Sequence, residues 1–284
     1  MSRLLLLSVV AVVSISSASI IVKLVDAPAL VLAFWRLVLS TLLLYVTSFW
    51  RSSFRCVRGV NAIYVGVSGF ALGLHFAAWI ESLRHISIAV SVTLVTTHPI
   101  FTALISYFFI GERLRRPQHV GILLCLLGVS IMSLSGYSMM SSLYGVTLAL
   151  LGALTASIYF TLGKFLRRAC GLIEYVVPTY LVAALTSLAL GLSLGVDFIN
   201  HPLTSWLLIV LLAVGPMLGG HTVLNYLLRY MSAASVATVA ACEPVGATIL
   251  GMLVLNEFPD LQVVSGMLIT LLGVYVVVSY EMSD

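Results

Sequence analysis

The sequence predicts an all-α polytopic membrane protein, with ten transmembrane helices arranged as two inverted five-helix repeats around a central cavity. Composition is the first observation: 61% of the 284 residues are hydrophobic and only 8% are Asp, Glu, Lys or Arg. Soluble domains carry about 25% charged residues and about 45–50% apolar ones. The second observation is a series of apolar stretches long enough to cross a bilayer, and the third is an internal repeat.

Spans 1 to 5 are separated by charged residues. Span 1 (4–22) ends before Lys23 without a small-residue cleavage site, so we interpret it as a retained helix and not as a signal peptide. Span 2 (29–50) has one internal charge, Arg36. A turn at 136–138 divides the long charge-free stretch that contains spans 5 and 6. Spans 3, 4 and 5 cover residues 60–82, 87–110 and 118–135.

Spans 6 to 10 follow at similar spacing along the rest of the chain. Each is about 20 residues long, the length that an α-helix needs to cross the hydrocarbon core. Glu243 is the charged residue near the middle of span 9. The five spans cover residues 143–165, 172–194, 204–227, 232–255 and 261–280.

The distribution of cations predicts how the spans are oriented. With the N-terminus in the cytoplasm, eleven Lys and Arg residues fall in cytoplasmic segments and two, Lys23 and Arg84, fall outside. Both termini are therefore predicted to be cytoplasmic. The pattern of spans is typical of a multi-pass protein of the prokaryotic plasma (inner) membrane, which is the localisation that we expect.

Composition and spacing also exclude several classes of function. Disorder, coiled coil and nucleic-acid binding are excluded on composition. The chain has no Walker A loop for ATP, no His-Glu-x-x-His zinc motif and no pair of aspartates within a span. Its four cysteines are far apart and lack metal-ligand spacing. We expect no enzyme, no metal, no cofactor and no disulfide.

Two stretches of the chain, 145 residues apart, have the same order of features. Each has a span, a short polar turn, a span with a central X-Pro pair, an acidic turn, and a span with two glycines seven residues apart. The halves, 1–136 and 137–284, hold five spans each, and an odd number requires them to be inverted. Inverted repeats build transporters with the substrate site near the midplane. The matched pairs are Arg84 with Arg229, Ser87 with Ser232, Thr93 with Thr238, Pro99 with Pro244, Glu112 with Glu257, Gly121 with Gly266 and Gly128 with Gly273.

Motifs along nearly the whole chain have a specific order and spacing. They are Phe34-Trp35-Arg36, residues 87–99, Gly111-Glu112-Arg113, residues 121–128, Gly220-His221, Asn225-Tyr226, Glu243-Pro244-Val245 and Asn256-Glu257. With these motifs the chain resembles the EamA family of the drug/metabolite transporter superfamily. The resemblance implies ten helices, an inverted five-plus-five repeat, a central cavity, and export or exchange of small metabolites, often amino acids. The chain departs from the family at Asn256, where Gly is usual, and at His98, a variable position whose role is not carried over.

Glu243 and His98 are the ionisable candidates at the matched proline positions, since each directly precedes its proline, Pro244 or Pro99. A carboxylate in mid-membrane is costly and usually faces a cavity or a partner. Glu243 is a candidate for substrate or proton contact; alternatively, it binds backbone near Pro244 or a buried cation. His98 has either a direct role or a satisfied hydrogen bond. Proline frees a backbone carbonyl, so the matched prolines indicate cavity-lining helices.

Polar residues four apart share one face of a helix in spans 3 and 8. His75 and Trp79 form one such pair, and His221 and Asn225 form the other. Their matching positions suggest a cavity wall. The alternative for both pairs is hydrogen bonding between helices, worth about 1 kcal/mol. Trp79 also lies near the outer interface, where tryptophans are common.

The remaining candidates are cavity, gating or helix-end residues. Arg36 is a typical residue of the resembled family, and we interpret it as a structural or gating residue in a buried ion pair or with its side chain extended to the surface. The alternative is that it holds a substrate carboxylate. Glu112 and Glu257 end spans 4 and 9 and are interpreted as structural turn residues. Ser17 and Tyr159 are candidates to face the cavity.

The leading hypothesis is a secondary transporter that exports or exchanges small metabolites, amino acids foremost, by alternating access. Its partners are a small-molecule substrate and the lipid bilayer, and not nucleic acid. Coupling to protons and the oligomeric state are left open. The alternative is a flippase of small polar lipid headgroups or lipid-linked metabolites on the same scaffold.

Overall fold

A computed structural model describes residues 2–48, 57–86, 88–134, 142–255 and 258–281. Within these ranges the regular structure is helical. In chain order the helices are α1 (Ser2–Leu24), α2 (Ala29–Ser48), α3 (Val60–Ser82), α4 (Ile88–Val95), α5 (His98–Ile110), α6 (Arg116–Leu134), α7 (Leu143–Arg167), α8 (Leu172–Ser193), α9 (Leu203–Leu212), the π-helical segment Ala213–Thr222, α10 (Val223–Leu227), α11 (Ala233–Ala240), α12 (Glu243–Leu255) and α13 (Leu261–Glu281).

Nine helical stretches of the described chain are long and apolar enough to cross a membrane. They coincide with nine of the ten predicted spans. Span 5 is present as α6, but its apolar part, Arg116–Met132, is shorter than the other nine. A multi-pass helical membrane protein is therefore confirmed, whereas the count of ten stays a prediction. The predicted turn at 136–138 and Glu257 lie outside the described residues.

The outer surface of the bundle is apolar, as a membrane protein requires. Large hydrophobic side chains point outward along several helices, with Phe108 77% exposed and Leu203 75% exposed. Soluble monomers rarely expose apolar patches of more than a few hundred Å². This surface is suited to contact with lipid.

Two predicted spans are each divided into two helices at matched positions. Span 4 becomes α4 and α5, which are separated at Thr96-Thr97, and span 9 becomes α11 and α12, which are separated at Ala241-Cys242. These breaks are 145 residues apart, the spacing of the repeat. The new helices begin with His98-Pro99 and Glu243-Pro244. Proline fits the first turn of a helix, where its missing N–H has no partner to lose.

Helices at the same position in the two halves make similar contacts. The first helix of the first half, α1, packs against the π-helical segment and α12. The first helix of the second half, α7, packs against α3 and α5. Each first helix therefore lies mainly on the helices of the other half, and α2 packs on α8 in the same way.

Four glycines bring α6 and α13 into backbone contact. A Cβ at Gly121 would lie 2.7 Å from the carbonyl oxygen of Gly273, and a Cβ at Gly128 would lie 2.5 Å from that of Gly266. Real Cβ atoms do not approach a carbonyl so closely, and small residues are what permits such contact between membrane helices. Because the lower-numbered glycine of α6 faces the higher-numbered glycine of α13, the two helices run antiparallel.

The cysteines differ from the expectation. Cys170 is disulfide-bonded, so the expectation of no disulfide is wrong at this residue. Cys125 and Cys242 are buried free thiols, and Cys56 lies outside the described residues. Spacing along the chain carries little information about which loops meet in three dimensions, and for this reason the sequence did not predict the bond.

Candidate functional site

A small cavity lies at the junction of the two halves, at the level of the two helix breaks. Its lining comes from α1, α2, α3, α7, the π-helical segment, α10 and both broken spans. The cavity volume is about 40 Å³, enough for one or a few water molecules. Sites for small molecules usually measure about 300–1,000 Å³. The cavity is therefore much smaller than a typical site for a small molecule.

Arg36 from α2 lies at this cavity and is 1% exposed. Its guanidinium carbon lies 4.1 Å from the ring centre of Phe76, which covers one face of the cation. Nη2 lies 3.7 Å from the thioether sulfur of Met217, a weak acceptor. Nε and Nη1 are buried without a hydrogen-bond partner. The guanidinium thus retains strong, unused donors.

Glu243 begins α12 and lines the same cavity. Its Oε1 atom is buried without a hydrogen-bond partner, although the residue as a whole is partly exposed. The electrostatic attraction that reaches its carboxylate comes from Arg36. The site therefore combines one cation and one carboxylate whose polar atoms Nε, Nη1 and Oε1 lack partners.

Serines on the first helix of each half bind the broken span of the other half. The Ser157 hydroxyl on α7 lies between two carbonyl acceptors, that of Ala153 in its own helix at 2.8 Å and that of His98 at 2.9 Å. The Ser16 hydroxyl on α1 likewise lies 2.6 Å from the carbonyl of Val12 and 3.0 Å from that of Glu243. Each serine therefore contacts the residue that precedes the matched proline. Ser17, the neighbouring serine that was predicted to face the cavity, donates to the carbonyl of Ser14 within α1.

Three histidine rings lie around the cavity; those of His75 and His98 are buried, and that of His221 is half-buried. His75 Nδ1 lies 2.9 Å from the carbonyl oxygen of Gly152. Nδ1 of His98 and Nδ1 of His221 are buried without partners. In the described ranges, no group of three His, Cys, Asp or Glu residues could hold a metal ion. The three histidines are polar groups of the cavity wall.

Aromatic side chains form much of the rest of the wall. Trp79 is 5% exposed and its ring is nearly parallel to that of His75, with centroids 6.4 Å apart. The ring of Phe76 lies 5.0 Å from that of His221, and the ring of Phe160 lies 5.6 Å from that of His98. Phe76 and Phe160 were missed in the sequence, because apolar residues in an apolar helix give no signal there.

Tyr159 and Asn225 lie next to the cavity lining. The Asn225 amide donates to the Tyr159 hydroxyl and, at 2.8 Å, to the carbonyl of His221. Both side chains are buried. The pair joins α7 to α10 and supports the π-helical segment that presents His221.

Glu112 lies at one end of the bundle, away from the cavity. Its carboxylate accepts a hydrogen bond from the backbone N–H of Ala233, at 2.9 Å. Lys164 and Arg168 approach the same carboxylate at 3.8 Å and 3.7 Å. Burial raises the pKa of the Glu112 carboxyl, and the Ala233 hydrogen bond and the two cations oppose this rise.

A second carboxylate, from Glu281 at the end of α13, contacts the same helix start. It accepts hydrogen bonds from the backbone N–H of Ser232, from the Ser235 hydroxyl at 2.7 Å, and from the Gln118 amide at 2.6 Å. Carboxylates are favourable at the N-terminus of a helix. We call Glu112 and Glu281 the α11 clamp, because together they fix the first residues of α11.

We expect Glu112→Ala to lower the melting temperature of the detergent-solubilised protein by several degrees. The substitution removes a charged hydrogen bond from a buried N–H, which is worth about 1–3 kcal/mol. Glu112→Gln should have a smaller effect, because its amide oxygen still accepts from Ala233 and burial disfavours the charged form there. Equal melting temperatures for Glu112→Ala and wild type would show that the clamp does not stabilise the fold.

The sequence of this chain matches a known protein family in both of its halves. A profile of the EamA-like transporter family matches residues 2–134 and again residues 143–279. The chain belongs to the EamA-like transporter family. The two matches correspond to the two halves of the chain and leave a gap around the predicted boundary at 136. EamA proteins are transporters and not enzymes, and the family implies a small-molecule substrate and a location in a membrane.

Relatives of this EamA chain include transporters from several organisms. The uncharacterized transporter YdfC of Bacillus subtilis is 28% identical over 77% of this chain and 71% of its own length. The pseudopaline exporter CntI of Pseudomonas aeruginosa is 27% identical over 96% of this chain and 93% of its own length. One solved crystal structure is similar over 100% of this chain and 99% of the other chain, with a TM-score of 0.83. At 18% sequence identity, this similarity concerns the fold alone.

Proposed function

We propose that this EamA protein is a secondary transporter that exports or exchanges small metabolites, with amino acids as its principal substrates. The observation that carries the proposal is the cavity between the halves, where charged and polar side chains are buried without partners. An unpaired buried charge is costly unless it serves a ligand. Amino acids offer the carboxylate and ammonium groups that such donors and acceptors bind.

We further propose that the two halves are inverted repeats and that α6 is the tenth span. The helix breaks 145 residues apart, the antiparallel α6–α13 contact and the exchange of serine contacts support this arrangement. The helix α6 contacts its counterpart α13, and each of the two serines contacts the half to which it does not belong. Inverted halves of this kind can adopt two similar conformations that open to opposite sides of the membrane.

Transport is proposed to occur by alternating access through the cavity. At about 40 Å³ the space is too small for an amino acid, so substrate entry requires α4, α5, α11 and α12 to move apart. The breaks at Thr96-Thr97 and Ala241-Cys242 allow each half of a broken span to move separately. The α11 clamp would hold one end closed. We place this end, with Lys164 and Arg168, in the cytoplasm, and the protein in the plasma membrane.

Counterflow in proteoliposomes tests the function. Vesicles loaded with a mixture of unlabelled amino acids should accumulate labelled amino acids transiently, and protein-free vesicles should not. A folded, monodisperse preparation that shows no counterflow of any amino acid would contradict the amino-acid proposal. In that case, uptake of fluorescent lipid analogues would test the flippase alternative on the same preparation.

Glu243 is the residue that we expect to carry any response to protons. We expect the rate of counterflow to change when a pH step is imposed on wild-type vesicles, and the Glu243→Gln rate to be the same with and without the step. A neutral amide cannot gain or lose a proton in this range. Glu112→Gln is the matched control, since it removes a carboxylate outside the cavity. An unchanged pH response in Glu243→Gln would exclude proton coupling at this residue.

A further inference from the structure

We infer, on the basis of the proposed transport function, that the cavity selects zwitterions with an apolar side chain. Arg36 binds the substrate carboxylate, Glu243 binds the substrate ammonium group, and the aromatic wall contacts the side chain. The two charged groups on the α-carbon of the substrate are thus bound by two different residues. This arrangement therefore predicts which compounds are rejected as well as which are bound.

The unpartnered donors of Arg36 suit a carboxylate. A guanidinium presents its N–H groups in one plane and can bind both oxygens of a carboxylate at once. Phe76 covers a face of the Arg36 guanidinium, so its edges remain available for bonds in the plane. Nε and Nη1 are the donors that have no partner.

The unpartnered acceptor of Glu243 suits an ammonium group. An ionised carboxylate only accepts hydrogen bonds, and an ammonium group only donates them. The Ser16 hydroxyl fixes the Glu243 backbone through its carbonyl oxygen. This contact holds the residue at the start of α12 and leaves Oε1 without a partner.

The net charge of the site also favours a zwitterion. Among the described lining residues, Arg36 is the one Lys or Arg and Glu243 is the one Asp or Glu. A ligand that carries both charges satisfies both residues. A purely cationic or anionic ligand leaves one of them buried and unpaired, which is unfavourable.

The rest of the lining determines the type of side chain. Most of the lining surface is apolar, with contributions from Phe76, Trp79, Val95, Phe160 and Leu224, and the polar side chains of His75, Thr96, His98 and His221 supply the rest. A third charge on the substrate would have no counter-charge in the described lining. We therefore assign neutral amino acids with aliphatic or aromatic side chains as the substrate class.

Three compounds with the same benzyl group test the inference. Phenylalanine carries both charges, phenethylamine lacks the carboxylate, and 3-phenylpropionate lacks the ammonium group. Each is used as a competitor of labelled-phenylalanine counterflow, because the analogues also cross membranes unaided. For the wild type we expect phenylalanine to compete about 10- to 100-fold more strongly than either analogue, since each analogue loses a charged hydrogen bond.

Two variants test which residue binds the substrate carboxylate and which binds the ammonium group. Arg36→Gln should weaken competition by phenylalanine about 10- to 100-fold and leave competition by phenethylamine unchanged. Glu243→Gln should weaken competition by phenylalanine by a similar factor and leave competition by 3-phenylpropionate unchanged. Arg36→Lys keeps the buried charge for folding but loses the planar donors, and is used if Arg36→Gln is not monodisperse. Analogues that compete as well as phenylalanine, or variants that weaken all three compounds equally, would overturn the inference.

A binding measurement separates this inference from the proposed function. Thermal stabilisation of the detergent-solubilised protein by the same three compounds does not require transport. Stabilisation by phenylalanine alone, without counterflow, would support the zwitterion site and contradict the transport proposal. Counterflow without discrimination among the three compounds would support the transport proposal and contradict the zwitterion site.

Discussion

Gly128→Val is expected to prevent α6 from packing on α13 and to remove most of the folded protein. A Cβ at Gly128 would lie 2.5 Å from both the carbonyl oxygen of Gly266 and the backbone nitrogen of Thr270. Neither is the end of a flexible side chain, so the helices themselves must separate. Overpacking usually costs about 1–3 kcal/mol, and we expect this substitution to reach or exceed the upper value.

The measurement is the amount and melting temperature of monodisperse protein from size-exclusion chromatography in detergent. Gly66→Val is the matched control, because a Cβ at Gly66 in α3 meets nothing within 4 Å. The control should resemble the wild type. If Gly128→Val and Gly66→Val give the same yield and melting temperature, the close α6–α13 contact is not what holds the halves together there.

Ala156→Leu is expected to abolish counterflow while the protein stays folded. Ala156 on α7 lines the cavity and is 2% exposed. Leucine adds three carbon atoms, and the cavity of about 40 Å³ has little space beyond them. The added side chain would occupy the position of the substrate, so we expect at least a tenfold fall in the initial rate.

The comparison is with Ala62→Leu, an exposed position on α3 that lies away from the cavity lining. Both variants are reconstituted at equal amounts after their melting temperatures have been checked. Equal counterflow rates for Ala156→Leu and Ala62→Leu would show that substrates do not pass through this cavity. A low rate for both would indicate damage to packing and not a blocked path.

Much of the fold follows from composition and periodicity. The apolar stretches predicted nine of the spans that the structure contains, because a bilayer requires long, charge-free helices. The repeat located the matched X-Pro pairs. It did not predict that spans 4 and 9 are broken at these pairs. The contacts of Ser16 and Ser157 with the first residues of α12 and α5 depend on how the helices pack, so they could not be recognised from spacing alone.

The candidate site was accessible to sequence reasoning in its polar part only. Arg36, His75, His98, His221 and Glu243 all lie at the cavity, and each is conspicuous as a polar residue in an apolar span. Apolar wall residues have no such contrast, so Phe76 and Phe160 were missed. Ser17 was chosen in place of Ser16, because adjacent residues of a helix differ by about 100° in direction and the sequence does not fix the rotation of α1.

Accessibility of the cavity from each side of the membrane tests alternating access most directly. Thr96 lies at the break between α4 and α5, lines the cavity and is 3% exposed. In Thr96→Cys, a membrane-impermeant thiol reagent should label the cavity cysteine from either face of sealed vesicles, and a saturating amino acid should slow the labelling. Wild-type vesicles control for the native cysteines. Labelling from one face only, at a rate that amino acids do not change, would contradict a carrier that opens this cavity to both sides.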